Sequence, residues 1–126
     1  MKRCWFGFLL LLILLAGGLA STFAMTRCHE PIAKQLEAAA AHSMAENWES
    51  AAALMEEAQA RWRSCRSLSS ALADHGPMEE IDGLFRELTV YAKARERVHF
   101  SSTCLSLSQK IMAMGEAHSL SWKNIL

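Results

Sequence analysis

One histidine and two carboxylates lie close together in the sequence, at His75, Glu79 and Glu80. An imidazole and two carboxylates are groups that could bind a divalent metal ion or exchange a proton with a substrate. A structural interpretation is simpler, because the two glutamates fall in the first turn of a predicted helix, where negative charge suits the helix dipole. We therefore expect a helix start with Asp74 and His75 in the preceding turn. A small metal- or ligand-dependent sensor or enzyme that uses His75 is the alternative.

The four cysteines raise the question of metal and redox chemistry. Cys28 precedes His29, but no second Cys or His follows at the spacing of a zinc ligand set, so no metal site and no cofactor are predicted. Cys28 could be a free thiol or half of an intermolecular disulfide. Cys65 and Cys104 both fall on apolar helical stripes. In a three-helix core their helices would touch, and in a square four-helix bundle they would lie on a diagonal. We expect them to be two buried neighbouring thiols, either joined in a disulfide or packed as independent small core residues.

Composition and motifs exclude several classes of function. The chain has 126 residues with 13 basic and 13 acidic side chains, so its net charge is zero and it offers no positive surface for nucleic acid. It contains no phosphate loop, dinucleotide fingerprint, nucleophile elbow or zinc-protease helix. Trp48, Trp62 and most of the methionines lie on predicted core stripes, which favours packing over a ligand platform or copper binding. No catalytic residue is predicted.

The first 26 residues have the pattern of a membrane segment. Two basic residues precede 23 uncharged residues, 4–26, which as a helix would span roughly 34 Å and cross a ~30 Å hydrocarbon core. An uncleaved anchor and a signal peptide cleaved after Ala20 both fit this pattern. In either case the basic N-terminus stays in the cytoplasm and residues 27–126 form an exported domain.

Helical periodicity runs through the exported part, and strand-like alternation of useful length is absent. Apolar residues recur in steps of three and four in four segments, which begin near Pro31, at Trp48, after a turn at 74–77 and near Phe100. Gly115 is the predicted end of the last helix. The sequence therefore predicts an all-α protein, with an N-terminal transmembrane helix followed by a three- to four-helix up-down bundle. The predicted core residues are Trp48, Met55, Trp62, Ile81, Phe85, Leu88, Phe100, Leu107 and Ile111.

Local features of the helices lead to three smaller predictions. Asp82 and Arg86 are spaced for an ion pair along one helix. The helix start at Trp48 is similar to the one at Phe100, a weak internal echo without a clear period. The tail, residues 119–126, is half apolar, so we expect it to dock on the bundle.

Several short motifs follow one another in a particular order: Asn47-Trp48-Glu49-Ser50-Ala51, the helix of Trp62, Asp74-His75, Glu80-Ile81-Asp82 and the closing Leu120-Ser121-Trp122-Lys123-Asn124-Ile125-Leu126. In this order they make the chain resemble the domain-of-unknown-function 4363 family, small membrane-anchored proteins of clostridia and their relatives. The resemblance covers essentially the whole chain and departs at Gly76-Pro77, where polar or acidic residues are expected. It implies an uncleaved anchor and a helical exported domain, and it implies no activity.

Together these observations predict a single-pass protein of the cell membrane, with a cytoplasmic N-terminus and an extracytoplasmic C-terminal domain. We expect the bundle to bind or scaffold a membrane-protein partner and to be no enzyme. Two alternatives stay open: the His75-dependent sensor or enzyme, and a secreted soluble bundle released by cleavage near Ala20.

Overall fold

The computed structural model describes residues 2–69 and 75–125, apart from the side chains of residues 21, 22, 24–26, 68, 69, 75 and 116–125. This part of the chain forms four helices: α1 (Lys2–Met44), α2 (Trp48–Ser69), α3 (His75–Ala94) and α4 (Arg97–Ile125). Neither described range contains a β-strand. The predicted all-α fold class is confirmed.

The helices form a square up-down bundle. Helix α1 packs against α2 and α4, and α3 packs against the same two helices. Within the described ranges, no Cα atom of α2 lies within 8 Å of one of α4, and the same holds for α1 and α3. Each of these two pairs therefore lies across a diagonal of the bundle. Small buried residues such as Ala33, Ala39 and Ala40 line α1, so this helix can approach both of its neighbours closely.

The first part of α1 extends beyond the bundle. From Lys2 to Ala20 the helix has a mean hydropathy of 2.0, and nearly all of its side chains are exposed in the isolated chain. This length and composition are sufficient to cross a membrane once, and a secretory signal sequence near an N-terminus shares them. The helix then continues without interruption into the bundle as far as Met44.

The predicted helix start at Pro31 and the predicted helix end at Gly115 are wrong. Pro31 lies inside α1 rather than at the start of a helix, and α4 continues through Gly115 to Ile125. A proline in a helix interior costs ~3 kcal/mol and a glycine about 1 kcal/mol. Pro31 lies between the buried residues His29 and Ile32, and Gly115 lies against His29 of α1. Tertiary contacts therefore outweigh the two local stop signals.

The buried core lies between the four helices. Eight of the nine predicted core residues are almost completely buried, and Trp48 is the partly buried exception. The Trp48 indole meets the Phe100 ring edge to face across the diagonal, with ring centroids 5.4 Å apart. This contact closes the end of the core beside the loop between α1 and α2.

The loops between α1 and α2 and between α3 and α4 share one backbone geometry. Glu46 and Arg95 each adopt a left-handed conformation, with φ of 62° and 53°. In each loop the next amide donates to the carbonyl five residues earlier, at 2.9 Å in the first loop and 3.0 Å in the second. This is the Schellman arrangement, which satisfies the last carbonyl groups of a helix.

Because the two loops are 49 residues apart, the hairpins α1–α2 and α3–α4 can be compared position by position. The same interval relates the buried residues of the two hairpins, which pair as Ile32 with Ile81, Leu36 with Phe85, Ala39 with Leu88, Ala51 with Phe100, Met55 with Cys104, Ala58 with Leu107 and Trp62 with Ile111. The weak internal similarity seen in the sequence therefore has a period of 49 residues in the structure. The predicted match of Trp48 with Phe100 is wrong by three residues, because the equivalent of Phe100 is Ala51.

Candidate functional site

Polar side chains converge on Trp62 between α2 and α3. The Trp62 indole is fully buried, and its Nε1 donates a hydrogen bond to Asp82 Oδ1 at 2.8 Å. The other carboxylate oxygen of Asp82 lies 3.2 Å from Arg66 Nη2. The predicted pair of Asp82 with Arg86 is replaced by these contacts, because Asp82 lies on the side of α3 that faces α2. Asp82 therefore links two helices rather than two turns of one helix.

A disulfide joins Cys28 of α1 to Cys65 of α2, with 6.1 Å between the Cα atoms. The predicted neighbourhood of Cys65 and Cys104 is therefore wrong, as is the prediction of a free or intermolecular Cys28. The reason lies in the helix arrangement: α1 occupies the fourth corner of the bundle, so α2 and α4 become diagonal. A disulfide requires Cα atoms ~4.4–6.8 Å apart, and more than 8 Å separates the nearest Cα atoms of these two helices.

Cys104 is a free thiol that is completely buried in α4. Burial raises the pKa of the Cys104 thiol to about 12, because the interior disfavours the charged thiolate. The thiolate is the nucleophilic form of cysteine. At neutral pH the thiol is protonated, so Cys104 acts as a small apolar residue of the core.

His29 is a buried polar residue, although it is not among the predicted core residues. Its ring centroid lies 6.3 Å from that of Trp62, and only 1% of its surface is exposed. A Cβ atom on Gly115 of α4 would lie 3.3 Å from His29 Nδ1, so the glycine provides the space that the imidazole fills. The signal was present in the sequence: His29 continues the helical stripe of Ile32 and Leu36 by one turn, and it lies 49 residues before the buried Met78.

His75, Glu79 and Glu80 do not form a described site. Glu79 and Glu80 are exposed, and Glu80 forms an ion pair with Lys110 of α4. The side chain of His75 lies outside the described residues. Helix α3 begins at His75, earlier than predicted, so no acidic residue lies in its first turn and the predicted dipole contact of the two glutamates is wrong. Among the described side chains, no group of three or more His, Cys, Asp or Glu could hold a metal ion.

An open groove of about 320 Å³ lies between α3 and α4 at the end of the bundle near the disulfide. It is lined by Pro77, Glu80, Ile81, Lys110, Ala113 and Met114. Its two charged residues are paired with each other, and the other lining residues are apolar. The groove can accept an apolar group, and it presents no nucleophile.

Comparison with known proteins identifies a family. A family model described as "Domain of unknown function (DUF4363)" matches residues 19–125. No curated protein and no solved structure matches the chain. The matched residues cover the four-helix bundle and the last two residues of the apolar segment, which is more than half of the sequence, and the chain therefore belongs to the DUF4363 family.

Proposed function

We propose that this protein is a single-pass membrane protein whose helical bundle lies outside the cytoplasmic membrane and docks on another membrane protein. The observation that carries the proposal is the continuity of α1. One helix joins the exposed apolar segment Lys2–Ala20 to the bundle, where its second half supplies one corner of the core. Such a helix would hold the bundle at a fixed distance from the membrane surface.

Two features support a cytoplasmic N-terminus and an extracytoplasmic bundle. Lys2 and Arg3 lie at the N-terminal side of the apolar segment, and basic residues flanking a span favour the cytoplasmic side. On the other side, the Cys28–Cys65 disulfide is a bond that persists in oxidising compartments and is rare in the cytosol. Both features point to the same orientation.

A docking role is favoured over a catalytic one because three of the reactive side chains that the structure describes have structural roles. The carboxylate of Asp82 accepts the Trp62 hydrogen bond, and Glu80 is paired with Lys110. Cys104 is buried and protonated. Among the described side chains these contacts leave no assembled reactive site, and we therefore propose a non-catalytic role.

Thiol labelling of intact cells tests the orientation. The native chain offers Cys4, an exposed cysteine at the N-terminal end of the apolar segment, while the other cysteines are bonded or buried. A membrane-impermeant maleimide should label a Ser64→Cys variant, in which the new thiol lies on the exposed surface of α2. Cys4 should react only after permeabilisation. Equal labelling of both sites in intact cells would contradict the orientation.

Extraction and sequencing test the anchor, and crosslinking tests the docking role. The full-length chain should stay in the membrane pellet at alkaline pH, and its N-terminus should precede the apolar segment. A mature chain that begins at Ser21 would show secretion instead. Crosslinking in native membranes should recover a reproducible protein partner, and failure to recover one would contradict the docking role.

A further inference from the structure

The outward surface of α4 is uncharged over four turns. Within residues 100–115 the exposed side chains are Ser102, Leu105, Ser106, Gln109, Met112 and Ala113. The single charged residue in this range is Lys110, which is half-buried and turned toward Glu80 of α3. Val98, Leu105 and Met112 recur every seven residues and expose 68%, 45% and 38% of their surface. We call these three residues the α4 stripe.

Helix α2 provides an internal comparison for the α4 stripe. The 49-residue interval between the two hairpins makes Glu49, Glu56 and Arg63 of α2 the equivalents of Val98, Leu105 and Met112. All three α2 residues are exposed and charged. The bundle therefore accepts charged residues at these register positions, and packing within the chain does not explain why those of α4 are apolar.

The spacing and charge of the α4 stripe identify what could cover it. An apolar repeat every seven residues is the pattern by which one helix packs along another, because seven residues complete nearly two turns. A covering helix that carried charges would bury them against this uncharged surface at a cost in desolvation. A second α4 avoids this cost over residues 100–115, because its own stripe has the same spacing and the exposed side chains of this range carry no charge.

We propose that the α4 stripe packs against the α4 stripe of a second copy of this chain. Two copies anchored in one membrane have their α4 helices in the same direction. Leu105 is the central residue of the stripe, so it lies near the two-fold axis of such a parallel dimer. With helix axes ~8–10 Å apart, the two Leu105 side chains would meet across that axis.

The size of the stripe indicates where this dimer forms. Fourteen residues of helix are roughly 21 Å long and ~10 Å wide, a footprint of about 200 Å² per copy. A stable interface in solution buries ~800 Å² per partner. The α4 contact is therefore sufficient only when both copies are confined to one membrane at a high effective concentration, and this step rests on the anchor proposed above.

Cysteine crosslinking of the full-length chain in its native membrane tests the proposal. A Leu105→Cys variant in a Cys4→Ser background is oxidised with copper phenanthroline and resolved on a non-reducing gel. Glu56→Cys in the same background is the matched control, because it places a thiol at the equivalent position of α2. The native disulfide and the buried Cys104 contribute to neither signal. We expect at least about fivefold more covalent dimer from Leu105→Cys than from Glu56→Cys.

Three results would overturn the proposal: no dimer from Leu105→Cys, equal dimer from both variants, or a Leu105→Cys product whose mass identifies a different protein. Carbonate extraction of the same membranes separates this proposal from the anchor. A retained chain without the Leu105→Cys dimer contradicts the α4 contact alone. A released chain contradicts the anchor, and with it the membrane-confined dimer.

A charge substitution provides a second test. Leu105→Glu copies the residue that α2 carries at Glu56, so the bundle should fold with a melting temperature within about 2 °C of the parent. The dimer should be lost, as measured by crosslinking through Ser102→Cys, which reports on the same surface. Glu56→Leu is the control and should leave the Ser102→Cys dimer unchanged. A Leu105→Glu chain that is folded and still crosslinks like its parent contradicts the proposal.

Discussion

Replacing Trp62 with alanine should remove a large part of the stability of the bundle. The Trp62 side chain is completely buried, and a tryptophan buries ~150–250 Å², or about 4–6 kcal/mol at ~25 cal/mol per Å². Measured costs of truncating buried aromatic residues are ~3–5 kcal/mol. The lost hydrogen bond to Asp82 adds little, because that carboxylate is 23% exposed, keeps its contact with Arg66 and can bind water. We therefore expect a loss of about 4 kcal/mol.

Two further substitutions separate the parts of this effect. Trp62→Phe keeps most of the buried ring and removes only the Nε1 donor and some volume, so it should cost about 1–2 kcal/mol. Trp48→Ala truncates an indole that is only partly buried, so it should cost less than Trp62→Ala. The comparison distinguishes burial of the ring from the hydrogen bond to Asp82.

The assay is urea unfolding of the full-length chain in detergent, followed by circular dichroism at 222 nm. The apolar segment Lys2–Ala20 is expected to stay helical in detergent and to contribute a constant signal, so the transition reports on the bundle. A Trp62→Ala chain within about 1 kcal/mol of the parent would show that the indole is not a core residue. If Trp62→Phe is as costly as Trp62→Ala, the hydrogen bond rather than the buried area dominates, and the area-based reasoning is refuted.

Three other substitutions or conditions give distinct outcomes. Cys65→Ser opens a disulfide loop with a sequence separation of 37 and should cost about 3–4 kcal/mol in urea unfolding, whereas the reduced parent should already match the variant. Gly115→Ala should destabilise the bundle, because its new Cβ atom would lie 3.3 Å from the buried His29. Gly83→Ala is the control: its nearest neighbour is 3.7 Å away on a flexible side chain, so this variant should gain up to about 1 kcal/mol of stability. Equal changes in stability for the two variants would contradict the close contact. Burial raises the folded-state pKa of Cys104 to about 12, so the unfolded chain releases this proton at a lower pH than the folded chain. The contribution of the thiol to stability should be complete below pH ~9 and should be lost as the pH rises from ~9 toward 12. Cys104→Ala should remove this part of the pH dependence, and an unchanged profile would show that another group causes it.

The sequence by itself determined the helices and the faces that they bury. The stripes through Met55 and Trp62, through Ile81 and Phe85, and through Leu107 depend only on which side chains lie one turn apart, and that relation is local. The apolar segment near the N-terminus is likewise visible in one stretch of chain. For these features the neighbouring residues contain all the required information.

The tertiary structure decided which helices are neighbours, and the pairings of the candidate site followed from that choice. Cys65 has Cys28 rather than Cys104 as its partner because α1 occupies the fourth corner of the bundle. Asp82 contacts Trp62 and Arg66 of α2 instead of a residue one turn away on its own helix. A helical period identifies the buried face of a helix. It does not identify the helix that packs against that face, because that helix is formed by residues distant in the chain.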